Sequence, residues 1–157
     1  MTTEKKLTLI EHFYNASKAF DDTLSLDKDV VLFRPFKDAW SIVEQVVHCV
    51  DFDVANFHRY RWGIVFPGAT VLSFDGSWTS VLDYQASELA SAINIIKSVR
   101  YFMAAHLKRI ADDDWSKYLY RFDDGTSFNL NQALQHFINH VGFHRELIDR
   151  NIKLFAQ

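Results

Sequence analysis

An all-α four-helix bundle is the fold this sequence predicts, and three observations predict it. Apolar residues recur at helical spacing in four long stretches. One of these carries a sustained 4-3 seam, the mark of helices packed at small crossing angles. Two of the four open on capping-box spacings, Ser41 with Glu44 and Asn129 with Gln132. The chain has 157 residues and no repeat or low-complexity tract, so residues 1–157 read as one domain.

The first helix is expected from about Glu4 to Leu24, through Leu7, Ile10, Phe13, Tyr14 and Phe20. The second starts after Ser41 and runs to about Trp62, where Gly63 and the Pro67–Gly68 pair end it. Its main apolar stripe is Ile42, Val43, Val46, Val47, Val50, Val54 and Phe57. The third is expected from near Ser80, with Asp83 three residues on, to about Ala111. The fourth runs from Asn129 to about Phe155.

The second-to-third and third-to-fourth connections, each of about seventeen residues, are long beside the usual ~2–8 of a compact bundle. They allow a crossover that leaves the second and third helices parallel. The latter connection contains YLYRFDDGTSFN, whose alternation about an Asp-Gly turn suggests a small hairpin, too short to be stable alone.

The seam of the third helix reads Leu82, Ala86, Leu89, Ile93, Ile96, Met103, Leu107 and Ile110, with Arg100 filling the gap. An arginine there faces the interior and needs an anionic partner, or its long side chain snorkels out at the edge of the bundle. If interior, it is either half of a structural ion pair or a group aimed at a site.

Composition narrows the function classes. Net charge is −3 and the basic residues are scattered, so there is no electrostatic footprint for nucleic acid. The one cysteine, Cys49, rules out an internal disulfide and fits a reducing compartment as a small buried hydrophobe. The N-terminal residues lack a signal-peptide core, and no apolar run approaches the ~20 residues needed to span a bilayer. A cytoplasmic protein, free of the membrane, is expected. Aromatic content is high, at 15% with 14 Phe, which points to an aromatic core, a lined pocket or a subunit contact.

Histidines carry the chemical signal. His140 and His144 stand four apart, one helical turn, on one face. Two imidazoles so placed can grip one metal ion, and a distant third, His48, can complete a set of three. Three protein ligands with open positions are the plan of a catalytic rather than a structural metal site. His136 lies further round, toward solvent, and is expected not to be a ligand. The ordinary alternative for the pair is partly buried, hydrogen-bonded histidine. Gly142, between them, is costly in mid-helix and often marks close approach of another backbone. His48 lies nearly opposite the valine stripe and alone would be read as solvent-facing. As a ligand it requires its helix to be covered on two sides, one facing the site and the other packed against the core or a second subunit. His12, His58 and His106 lack a partner at metal spacing.

The stretches WSIVEQVVHCVDFD, FDGSW, RFDDG and FNLNQALQHFINHVGFH, in that order, resemble the DinB/YfiT-like superfamily along nearly the whole chain. The resemblance implies an up-down-down-up four-helix bundle, usually a homodimer. It implies a divalent metal held by His48, His140 and His144. Imidazole ligands suit zinc, nickel, iron and copper, and zinc or nickel is expected foremost, then iron. The family includes thiol S-transferases and thiol-dependent isomerases. Three neutral imidazoles leave a dication uncompensated, able to activate water or a thiol. Glu44 and Asp51, about a turn either side of His48, are the candidates to orient an imidazole or move a proton. Arg100 is a third candidate catalytic group. Asp75 and Trp78 are placed to cover the site. The expected function is thiol S-transferase-like or hydrolase-like, on a small-molecule substrate with a low-molecular-weight thiol as one partner. The alternative is a non-catalytic, dimeric, stress-related metal-binding module.

Overall fold

The computed structural model describes residues 1–73 and 77–157. It is a mostly helical bundle. Four helices carry it: α1 (Thr3–Asn15), α3 (Ile42–Val65), α5 (Leu89–Leu107) and α6 (Leu130–Phe155). Two short helices, α2 (Lys28–Leu32) and α4 (Trp78–Val81), lie in the connections. A three-stranded sheet is formed by β1 (Ala69–Val71), β2 (Leu119–Phe122) and β3 (Ser127–Asn129), in the order β1-β2-β3. No helix among the described residues is long and apolar enough to cross a membrane.

Both capping boxes form. Ser41 caps α3 with Glu44 reaching back, and Asn129 caps α6 with Gln132. The first predicted helix is shorter than expected: α1 stops at Asn15, and short 3-10 turns carry the chain to Ser25. The third begins at Leu89 and not near Ser80. Asp83, which mimicked a capping acid, sits at φ 47° in the left-handed region, which a helix cannot use. The working cap is Glu88, whose carboxylate accepts from the backbone N–H of Ala90 and Ser91. Leu82 therefore leaves the seam and is exposed. At the other end α3 runs through Gly63 to Val65.

The YLYRFDDGTSFN hairpin forms as β2 and β3, antiparallel, with Gly125 at φ 89° in the turn. Its stability comes partly from β1, which pairs with β2 in parallel and joins the two long connections.

The core has two continuous parts. One gathers Phe13, Phe52, Tyr60, Met103, Trp115 and Phe137. The other gathers Ile42, Val46, Cys49, Ile93, Ile96 and Ile148. The buried line along α3 is Ile42, Val46, Cys49, Asp53, Asn56 and Tyr60, a 4-3 seam interrupted by two polar residues. This corrects the valine stripe: Val54 is exposed.

The polar members of that seam have partners. Arg100, fully buried, forms a fork with Asp53, with Nε to Oδ2 at 2.6 Å and Nη2 to Oδ1 at 2.9 Å. The same guanidinium donates to the carbonyls of Phe13, at 3.2 Å, and Phe137, at 3.1 Å. One side chain of α5 thus touches α1, α3 and α6, and the ion-pair reading of Arg100 holds.

Cross-helix pairs show how the bundle is arranged. Along α3 and α5, Asp53 meets Arg100, Phe57 meets Phe102 and Tyr60 meets His106. Along α3 and α6, Gln45 meets His144, His48 meets His140 and Phe52 meets Phe137. Helix α3 is therefore covered on two sides from within the chain, by α5 and by α6.

Candidate metal centre

The metal-ligand spacing on α6 acquires its third member where α3 crosses it. His48, His140 and His144 bring one ring nitrogen each to within 4.8 Å of one another. The Nε2 atoms of His48 and His140 are 3.2 Å apart, as are those of His140 and His144. Ligand nitrogens held ~2.0–2.1 Å from a tetrahedral zinc lie about 3.3 Å from each other. His140 thus stands from each of the other two donors at the separation that one small ion imposes, and the set of neutral imidazoles suits a divalent first-row metal.

The surroundings keep those nitrogens available. Burial pushes His48 down to about 4. Burial first, and then His48, pushes His144 down to about 3. Burial and the neighbouring histidines, with Arg100 beyond them, push His140 down to about 2. All three are neutral at neutral pH, as ligands must be.

Gln45 fixes the tautomer of His144. Its Oε1 lies 2.5 Å from Nδ1, so Nδ1–H donates to it and the lone pair of Nε2 faces the cluster. Metal-bound histidines commonly donate their second nitrogen to such a partner. Sequence reading missed Gln45, which stands one turn before Cys49 and only about 60° round α3 from His48. Its signal was being a polar residue amid the valine run. Trp40 completes the wall: its ring lies 4.9 Å from that of His48 and stacks over His144 at 6.2 Å, 5° from parallel. The asparagine that holds Trp40 in place is Asn151, fully buried, whose Nδ2 donates to the Trp40 carbonyl at 2.8 Å.

The histidines form the floor of an open cleft of about 780 Å³, with Trp40, Phe143 and Leu147 on its walls. A small organic molecule fits that volume.

The remaining candidates are placed differently. Glu44 is buried and committed to the start of α3: it accepts from Ser41 N at 2.8 Å and Ser41 Oγ at 2.9 Å, and takes a fork from Arg34 at 2.8 and 2.5 Å. Asp51 accepts the hydroxyl of Tyr84, whose own ionisation burial and that carboxylate push upward. Arg100 is engaged with Asp53. His136 lies outside the cluster, stacked on Phe128 at 5.2 Å. Gly142 is exposed, with open space where a Cβ would stand, so the expected close approach is absent there. Trp78 is partly exposed in α4, and Asp75 lies outside the described residues.

Comparison with known proteins adds a family. The model for the DinB superfamily matches residues 12–148. Among solved structures, YfiT from Bacillus subtilis is similar with a TM-score of 0.90 at 14% sequence identity, covering 99% of this chain and 90% of that one. YfiT is described as a probable metal-dependent hydrolase with an unusual four-helix bundle topology. No curated protein matches the chain.

Proposed function

The chain belongs to the DinB superfamily, and from that footing we propose a metal-dependent enzyme in which His48, His140 and His144 hold one divalent ion facing a small-molecule substrate. The observation that carries this is the convergence of three Nε2 atoms on the floor of an open cleft. Zinc or nickel fits the donors best, with iron next. Such an ion, when bound, acts as a Lewis acid that lowers the pKa of a coordinated water or thiol.

The chain's own residues do the rest. Burial keeps the three imidazoles unprotonated. Gln45 aims His144. Trp40 closes one side against bulk water, and the cleft between it and Phe143 admits the substrate. Attack by a thiol is the form this geometry favours. A thiol surrenders its proton to solvent readily, whereas attack by water usually draws on a carboxylate general base. Here Glu44 is taken by Ser41 and Arg34, and Asp51 by Tyr84. Transfer of a low-molecular-weight thiol to an electrophile is therefore the first reading. Hydrolysis is the second, supported by the likeness to YfiT.

Two further features belong to this reading. The cross-helix pairs support an up-down-down-up course: partners ascend together between α3 and α5 and oppositely between α3 and α6. A cytoplasmic homodimer is the assembly that accompanies it.

The test is elemental analysis of protein purified without metal-affinity steps, joined to assays of thiol consumption and ester cleavage against a panel of electrophiles. One equivalent of metal is expected, with activity that needs it and that vanishes in His140→Ala together with the metal. Full activity in metal-free protein overturns the enzyme reading. Stoichiometric metal with no turnover in any assay favours the non-catalytic module.

A further inference from the structure

The cleft above the histidines is not a uniform surface. One end is the imidazole cluster. The middle is apolar, with Trp40, Phe143 and Leu147. The other end carries Arg150 and Lys37, with Asp38 as the acid of this rim. Two cations against one anion leave that end positive.

Arg150 is built in rather than loosely placed. Its Nε and Nη2 both donate to Asn151 Oδ1, at 3.3 and 2.9 Å. Asn151 is fully buried and turns its own Nδ2 to the Trp40 carbonyl. One asparagine therefore fixes both the aromatic wall and the guanidinium beside it. The ring of Phe36 lies 5.8 Å from the Arg150 Cζ. Neither Arg150 nor Lys37 forms an ion pair with a carboxylate among the described residues, and Arg150 Nη1 has no hydrogen-bond partner there. Arg145, five residues earlier on the same helix, is by contrast consumed by Asp22 and Asp149. A half-buried, pre-aimed guanidinium with one nitrogen left over is the usual seat for an oxyanion.

The spacing sets the shape of the occupant. Arg150 stands six residues past His144, about 9 Å along the helix axis. We propose that the cleft selects a substrate that carries an anionic group, seated on Arg150, separated by an apolar body from the atom that reacts at the histidines. This deepens the metal-enzyme reading and rests on it for the position of the reacting atom. The anion seat itself stands on Arg150, Asn151 and the rim.

Cobalt(II)-loaded protein titrated with 6-mercaptohexanoate and with 6-mercaptohexanol tests it, followed by thiolate-to-cobalt absorption. The two probes share the thiol and the chain and differ at the far end, an anionic carboxylate against a neutral hydroxyl. The carboxylate probe is expected to half-saturate at a roughly tenfold lower concentration, the value of a charge-assisted hydrogen bond. Arg150→Gln should erase that advantage while leaving cobalt content and 6-mercaptohexanol affinity unchanged, and Arg150→Lys should restore part of it. Equal affinity of the two probes, or an advantage that survives Arg150→Gln, overturns the proposal. Failure to take up cobalt counts against the metal reading alone. The seat is then tested in the metal-free protein with hexanoate and hexanol, read by the Trp40 indole N–H resonance. An Arg150-dependent preference for hexanoate supports it, and no preference overturns it.

Discussion

The imidazole of His140 lies flat on the ring of Phe52, with centroids 3.6 Å apart and planes 7° from parallel. His140 Nδ1 is buried and has no hydrogen-bond partner among the described residues. The central member of the triad is thus oriented by a ring face, where His144 is oriented by an amide. Phe52→Leu removes the face and keeps most of the volume. It should weaken zinc binding by about tenfold, the upper end of an aromatic pair's ~0.5–1.5 kcal/mol. Competition with a chromophoric chelator measures it. Unchanged affinity would show that backbone alone positions His140.

Gln45→Leu deletes the acceptor for His144 Nδ1–H. Loss of such a partner typically costs ~10–100-fold in metal affinity, and that is the expected range here. His136→Ala, at a ring outside the cluster, should leave affinity and metal content as they are. A variant series in which His136→Ala does the greater damage would reassign the ligands.

The metal-free protein should be acid-sensitive in a defined window. In the unfolded chain a histidine takes a proton near 6.5, while in the folded chain His48 waits until about 4, His144 until about 3 and His140 until about 2. Between those values the unfolded state binds more protons, so stability falls as pH falls. The contribution is whole above about 6.5 and drains away below it. His106 and His136, also lowered by burial, act in the same direction. Asp22 and Asp112 matter only below 3.8. Urea midpoints at pH 7.5 and pH 5 should differ clearly, and the gap should narrow in His140→Gln. A gap of the same size in that variant would locate the sensitivity elsewhere.

Asp53→Asn leaves a fully buried guanidinium without its counter-charge. Removing one partner of a buried pair costs ~3–5 kcal/mol. Replacing both, as Asp53→Leu with Arg100→Met, should recover most of that loss, because two desolvated charges go together. Denaturant unfolding of the two variants decides the matter. A double variant no more stable than Asp53→Asn would mean that Arg100's bonds to Phe13 and Phe137 dominate.

A homodimer remains the expected assembly, but the reason for it shifts. Helix α3 is already covered on both sides, so the demand for a partner comes from exposed aromatic residues: Trp62, Phe66, Tyr101 and Phe102. Light scattering at micromolar concentration should return twice the chain mass, and Phe102→Glu should halve it. A monomer in the unmodified protein rules the dimer out.

The helices and the His140–His144 pair were legible because both are local patterns, spaced by the period of the helix. His48 was half legible. Its face of α3 looks polar, yet Glu44 and Asp51 there are held by Ser41, Arg34 and Tyr84 rather than by water. Gln45 and Asp53 were not legible as partners, since His144 and Arg100 lie on other helices and only folding sets them opposite. The false start at Ser80 has the same root. Leu82 and Ala86 fit the 4-3 spacing by sequence, and only the backbone at Asp83 reveals the break. The parallel pairing of β1 with β2 joins segments about fifty residues apart, beyond the reach of any local signal.

The contacts of Arg100 make sliding a collective matter. A helix that moved along its axis by a turn, ~5.4 Å, would tear its own bond from that guanidinium. The offset between α3 and α6, which sets His48 against His140 and His144, is therefore inherited from a residue that binds nothing at the site. Exchange of wall residues such as Phe143 or Leu147 would change what the cleft accepts and leave that offset in place. Loss of the Arg100 contacts would disturb the spacing of the imidazoles without touching a cleft wall.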